Sequence, residues 1–168
     1  FIPAERLARP INWSDEFGRY APLALEIGCG TGHFIVQRAL QQPDTNFLAI
    51  DIYNKGCLKT CSKLESAGIL NVRVLRVEAR ELLIKMLTAE RLQAIYINCP
   101  DPWPKKRHRG RRLVNRDFLE ITLRRLAPGG DFFFSSDQHD YAEQVAAALA
   151  EVPGFGNLLA TPLADGLP

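Results

Sequence analysis

Apolar positions along the chain gather into short unbroken runs, and longer stretches of helical periodicity lie between them. Leu23 to Ile27 is an apolar run stopped by glycine, and Asn46 to Ile52 (Asn-Phe-Leu-Ala-Ile-Asp-Ile) is a second. Val72 to Val77, Gln93 to Asn98 and Asp131 to Ser136 follow. None alternates apolar with polar, so each predicts a strand covered on both faces. Helices are predicted in the gaps. Gly32 to Gln42 turns Phe34, Ile35, Ala39 and Leu40 inward and stops at Pro43-Asp44. Asn54 to Ala67 closes at Gly68, and Arg80 to Leu87 follows. Asn115 to Leu126 starts on Asn115 as N-cap, and His139 to Glu151 is rich in Ala. Pro128-Gly129-Gly130 predicts a turn, and Phe155 to Ala160 a further strand. Cys99 to Arg112 carries too much proline and charge to predict a regular element, and Thr161 to Pro168 shows none. Strict alternation of strand and helix predicts an α/β fold with a doubly wound, mostly parallel sheet. Such sheets bind ligands at the carboxyl ends of their strands, where strand order reverses.

Composition narrows this picture. A chain of 168 residues with 46% hydrophobic content predicts one domain, 1–168, with a full core. It begins at Phe1 rather than Met, so its natural start is expected further upstream. No apolar run approaches the roughly 20 residues of a membrane helix. Phe1 to Pro10, with Glu5, Arg6 and Arg9, does not read as a signal peptide. Cys29, Cys57, Cys61 and Cys99 form no Cys-x-x-Cys pair, and no His stands at zinc-finger spacing. Cys57 and Cys61 would neighbour each other on a helix and read as small buried residues rather than half a metal site. No metal is expected, and the cytoplasm is the expected compartment. The net charge of +2 conceals a concentration. Lys105, Lys106, Arg107, Arg109, Arg111 and Arg112 crowd one segment that holds no acid, leaving the rest net negative. That distribution predicts a polyanionic partner.

The chemically suggestive residues fall just after the predicted strands. Glu26 precedes Gly28-Cys29-Gly30-Thr31-Gly32. Glycines there permit a tight turn and close approach of a ligand. His33 breaks the dinucleotide fingerprint Gly-x-Gly-x-x-Gly. Asp51 follows the second strand at the interval where Rossmann-type folds place a ribose-binding acid, although a helix-capping Asp would look the same. Glu78-Ala79 follows the third strand, and Asn98 opens the long segment after the fourth. In that segment prolines can hold Asp101 in a fixed pose, Trp103 can stack or pack, and the cations can grip phosphates. Asp137 follows the fifth strand, where it can serve the crevice or cap a helix. His33, His108 and His139 share no evident catalytic geometry.

Pro100-Asp101-Pro102-Trp103-Pro104-Lys105-Lys106-Arg107-His108, followed by Arg111-Arg112-Leu113-Val114, resembles the hallmark of the tRNA (guanine-N7-)-methyltransferases. Ile11-Asn12-Trp13, the Leu25 to Gly32 stretch, Asn46 to Asp51, Pro128-Gly129-Gly130 and Asp137 with Tyr141 resemble its flanks. The glycine spacing alone resembles all class I methyltransferases. The resemblance implies a Rossmann-like domain that uses S-adenosylmethionine to methylate guanine N7 in tRNA, in the variable loop by family precedent. It implies cofactor contacts at Glu26, Gly28, Gly30, Gly32, Asp51, Glu78, Ala79 and Asn98. It places Asp101 at the catalytic position, and Lys105 and Asp137 at the substrate. Arg107, His108, Arg109, Arg111 and Arg112 become the RNA-contacting segment. Three departures stand out. Asp51 stands where Glu is usual and Glu78 where Asp is common. The family's C-terminal Thr-x-x-Glu is not supplied by Thr161-Pro162-Leu163-Ala164, so the chain is expected to lack the last strand. Oligomeric state stays open between monomer and homodimer. Two other readings also stay open. One is a class I methyltransferase of an exocyclic base amine, suggested by Asn98-Cys99-Pro100-Asp101. The other is a non-catalytic RNA-binding scaffold.

Overall fold

The computed structural model describes residues 11–87 and 91–164; the readings of Phe1 to Pro10 and of the tail beyond Ala164 lie outside them. The five apolar runs become β1 (Leu23–Ile27), β2 (Asn46–Asp51), β3 (Val72–Arg76), β4 (Leu92–Asn98) and β5 (Leu126–Ser135). All neighbours pair in parallel, in the order β3-β2-β1-β4-β5. Strand order therefore reverses between β1 and β4. By the rule for such sheets the ligand crevice falls at their carboxyl ends, where Gly28 follows β1 and Cys99 follows β4.

Helices cover both faces: α1 (Trp13–Phe17), α2 (His33–Gln41), α3 (Asn54–Ser66), α4 (Ala79–Glu81), α5 (Arg116–Leu123) and α6 (His139–Glu151). One core joins Leu25, Ile27, Leu48, Ile50, Ile95 and Ile97 of the sheet to Phe118, Leu119, Tyr141 and Val145. The other joins Ala24, Phe47, Ala49, Val74, Ala94 and Tyr96 to Ile35, Ala39, Cys57 and Leu64. Each strand thus feeds both cores, which explains its unbroken apolar pattern.

Leu40 of α2, expected inward, is exposed, and five further local readings change. The short α1, capped by the Asn12 side chain on the Ser14 amide, carries no periodicity long enough to predict it. The helix expected from Arg80 to Leu87 is one α-turn that widens into a π-turn, Leu82–Met86, with Leu87 N–H donating to the Leu82 carbonyl at 3.2 Å. The wider turn carries Leu82, Leu83 and Met86 into the core together. The helix from Asn115 ends at Leu123, and Leu126 joins β5 instead. Pro128-Gly129-Gly130 lies inside β5 as a bulge, since Leu126 pairs with Leu92 and Asp131 already with Ala94. Phe155 to Ala160 forms no strand. Phe155 packs on Phe132 at 5.8 Å, and Asn157 folds the following residues into a turn through Thr161 and Leu159.

Candidate functional site

The glycine loop between β1 and α2 is fixed from below. Gly28, Gly30 and Gly32 all hold positive φ, which L side chains rarely adopt. Asp51 Oδ2 accepts from the Gly30 amide and Oδ1 from the Tyr53 amide, both at 2.8 Å. Thr60 Oγ1 donates to the Gly30 carbonyl at 3.2 Å. Asp51 therefore ties the loop to β2, and its remaining lone pairs are what a ribose could use. Gly56 lies on α3 against the same carbonyl: a Cβ there would come within 2.6 Å of Gly30 O. Sequence reading missed Gly56 and Thr60. A glycine inside a helix, which costs about 1 kcal/mol against Ala, was the available signal for Gly56.

Two polar atoms at the strand ends are buried without a partner among the described residues, Glu26 Oε2 and Asn98 Nδ2. Glu26 pairs in register with Tyr96, so Glu26 and Asn98 occupy the same face of neighbouring strands. Ser135 Oγ donates to Asn98 Oδ1 at 3.1 Å, which engages the amide oxygen and leaves the NH2 group unpaired. Burial, and then the nearby Asp51 carboxylate, push the Glu26 pKa up to about 8. An acceptor and a donor left unsatisfied below a glycine loop fit a ligand carrying both an ammonium and an acceptor group. Glu78 is exposed and caps α4 through its Oε2 on the Glu81 amide, with the buried Ala79 beside it.

Across the crevice the β4–α5 segment is irregular until a 3-10 turn, Lys106–Arg111, an element the sequence did not predict. Cys99 and Trp103 hold positive φ, 45° and 44°, and each precedes a proline. Such backbone costs on the order of 1–3 kcal/mol per residue and persists only where surroundings hold it. Asp101 lies between them, exposed, with no hydrogen-bond partner among the described residues. Asp137 is exposed just beyond β5; it does not cap α6, whose N-cap is Gln138. Lys105, Lys106 and Arg107 are exposed. Arg111 lies over the Trp103 ring at 4.9 Å, and His108 meets that ring edge-on at 5.9 Å. Arg109 pairs with Asp140 at 2.8 Å.

Arg112 departs from its expected place among the RNA contacts. It is only 2% exposed, and its guanidinium bonds Pro102, Gln144 and Asp140 inside the fold. No cluster of metal-ligating side chains exists among the described residues. Cys57 is buried and Cys61 half-buried, both as free thiols. His33 accepts from Lys63 at 2.9 Å and His139 pairs with Glu143 at 3.3 Å, so both have local partners.

The sequence model of a family described as putative methyltransferase matches residues 20–165. The chain is 56% identical to a tRNA (guanine-N(7)-)-methyltransferase of Syntrophotalea carbinolica, over 98% of this chain and 71% of that protein. It is 52% identical to the tRNA (guanine-N(7)-)-methyltransferase of Geobacter metallireducens, over 95% of this chain and 76% of the relative. Among solved structures it resembles the precorrin-6y C5,15-methyltransferase of Geobacter metallireducens, with TM-score 0.62 at 15% identity, covering 78% of this chain and 63% of that one. That last likeness concerns the fold.

Proposed function

This chain belongs to the tRNA (guanine-N(7)-)-methyltransferase family, and from that premise we infer that it transfers a methyl group from S-adenosylmethionine to N7 of a guanine in tRNA. The observation that carries the reading beyond kinship is the pair of unsatisfied buried atoms, Glu26 Oε2 and Asn98 Nδ2, under the glycine loop. S-adenosylmethionine, when bound, supplies an electrophilic methyl on a positively charged sulfur. Its ammonium matches Glu26 and would hold that carboxyl ionised. Asp51 and Glu78 are the candidates for the ribose and the adenosine end, with Gly28, Gly30, Gly32 and Ala79 giving backbone access.

Guanine N7 offers an in-plane lone pair and carries no proton, so no general base is required. In-line displacement then depends mostly on positioning. Positive charge passes to the guanine ring as the bond forms. Asp101 has no hydrogen-bond partner among the described residues and would stabilise that charge while accepting from guanine N1–H and the 2-amino group. Asp137 is the second candidate. Lys105, Arg107, His108, Arg109 and Arg111 form the proposed tRNA contact, with affinity dominated by phosphates and hence by salt. We place this work in one domain and in the cytoplasm; no helix among the described residues is long and apolar enough to cross a membrane.

The test is methyl transfer to bulk tRNA followed by nucleoside mapping. N7-methylguanosine is the expected product. A methylated exocyclic amine would move the chain to another class of base methyltransferase. Failure to bind S-adenosylmethionine by calorimetry would leave only an RNA-binding scaffold.

A further inference from the structure

Arg112 ends the basic segment, yet it does the opposite of its neighbours. Its side chain is 1% exposed, while that of Arg109 is 42% exposed. All three edges of its guanidinium are engaged. Nε donates to the Pro102 carbonyl, Nη1 to Gln144 Oε1 and Nη2 to Asp140 Oδ2, each at 2.8 Å. The guanidinium carbon also lies 4.6 Å from the centre of the Tyr141 ring. Tyr141 in turn accepts from the Val114 amide at 3.0 Å through its hydroxyl, and its ring meets Phe134 at 5.2 Å. One buried cation therefore joins two parts of the chain. One is the carbonyl directly after Asp101. The other is the first turns of α6, which begin just after Asp137.

A planar fork with fixed donor directions holds three acceptors in one geometry, which a single ammonium cannot reproduce. The loop it grips needs holding, because Cys99 and Trp103 keep left-handed backbone without being glycine. Asp140 Oδ2 accepts from both Arg112 and Arg109 at 2.8 Å. The Arg112 bond first, and then the two positive charges, hold the Asp140 carboxyl below its ordinary range, so it remains an anion through neutral pH. Of these two cations only Arg109 has solvent access, and only it is free to exchange Asp140 for a phosphate.

We propose that Arg112 is a positioning residue: clamped by Asp140 and Gln144, it sets the Asp101 loop against α6, and it makes no contact with RNA. This rests on the methyl-transfer reading above. It predicts a division of labour within one short basic segment. Arg112 governs turnover through the pose of Asp101, and Arg109 governs tRNA capture.

The test compares Arg112→Lys, Asp140→Asn and Arg109→Ala in the full chain. Arg112→Lys keeps the charge and removes the fork. Its kcat should fall about 10- to 100-fold, the range a small misplacement near the reacting atoms produces. Its KM for tRNA should stay within about threefold. Asp140→Asn changes a partly exposed side chain, keeps an acceptor and should lower kcat in the same direction by less. Arg109→Ala should raise KM and leave kcat near wild type. Acrylamide quenching supplies a readout that needs no turnover. Of the two tryptophans, Trp13 is buried, so quenching reports on Trp103 in the loop. It should rise in Arg112→Lys and Asp140→Asn and stay unchanged in Arg109→Ala. A folded Arg112→Lys protein with wild-type kcat and quenching overturns the proposal. So does a variant whose loss is all in KM with a flattened salt dependence, which would return Arg112 to the RNA interface. If Arg112→Lys does not fold, Asp140→Asn decides by the same measures. If wild type itself does not methylate tRNA, the functional reading fails, while quenching still decides the clamp.

Discussion

The two loops that follow the neighbouring strands β1 and β4 solve the same problem by different means. The loop after β1 reaches its conformation through glycine, and its restraints come from the adjacent β2 and α3: Asp51, Thr60 and the bare Cα of Gly56. The loop after β4 reaches left-handed backbone at Cys99 and Trp103 with side chains in place, and Arg112, at the end of the same segment, ties it to Asp140 and Gln144 of α6. The first has permissive backbone, which would let the proposed ligand come close to it. In the proposed mechanism the second needs stiffness, because one carboxylate, Asp101, would have to hold a pose. On the proposed assignment, backbone freedom serves the cofactor side, and side-chain tethering serves the acceptor side.

The sharpest way to break that contrast is at Asp101. Asp101→Ala should cut kcat by about 10³-fold, at the upper end for removing one electrostatic stabiliser, with S-adenosylmethionine affinity within about tenfold. Single-turnover methylation beside calorimetry checks both. Retained turnover would remove Asp101 from the chemistry.

Glu26 probes the other side by pH. Its pKa is raised in the fold from 4.5 to about 8, chiefly by burial. The folded state therefore keeps a proton that the unfolded chain releases. Stability is greatest near and below the unfolded value and falls as pH rises toward about 8, at up to roughly 1.4 kcal/mol per pH unit. Glu26→Gln should flatten this slope, gaining stability at pH 8 and little near pH 4.5, and should weaken cofactor binding. Denaturant midpoints at the two pH values measure it; parallel slopes in both proteins contradict the assignment.

Gly56→Ala sets overpacking, about 1–3 kcal/mol, against about 1 kcal/mol of helix propensity. The contact is backbone to backbone and cannot swing aside, so the variant should lose stability and bind cofactor about tenfold more weakly, by the arithmetic of 1.4 kcal/mol per decade. Gly110→Ala in the other loop meets nothing within 4 Å and should be silent. Equal effects at both positions would erase the distinction between the loops. Silent control aside, the smallest effect expected is on salt. Arg109→Ala with Arg111→Ala should reduce the slope of log affinity for tRNA by up to about 0.7–0.9 for each phosphate no longer neutralised. An unchanged slope would take this segment out of the RNA interface.

Much of the fold is legible in the sequence because strands buried on both faces have no polar side to disguise them. Leu23 to Ile27 and Asn46 to Asp51 can hardly be read otherwise. Ends of elements are less legible where the decision is tertiary. Leu126 resembles the end of a helix but pairs with Leu92, and Phe155 resembles the start of a strand but finds Phe132 and no strand partner. The π-turn at Leu82–Met86 follows from the demand that three side chains reach one core, which linear periodicity does not encode. At the candidate site, Glu26, Asp51, Asn98 and Asp101 stand out because each closes or follows a strand. Arg112 is hidden because a run of cations reads as one solvated face. Only the positions of Asp140 and Gln144 reveal that its last member points inward.

The strand order also has a kinetic consequence. β1 pairs with β2 and then β2 with β3 through successive short crossovers, so the half that carries the glycine loop closes from local contacts. β4 must return across that half to pair with β1, and the Asp101 loop is gripped only once α6 has arrived. Long-range closure is the slower event. We predict that a refolding chain protects the amides of β1 to β3 from hydrogen exchange before those of β4 and β5. Simultaneous protection of all five strands would contradict that order. In a chain emerging from its N-terminus, the proposed pocket for the methyl donor then takes shape before the proposed surface that selects what is methylated.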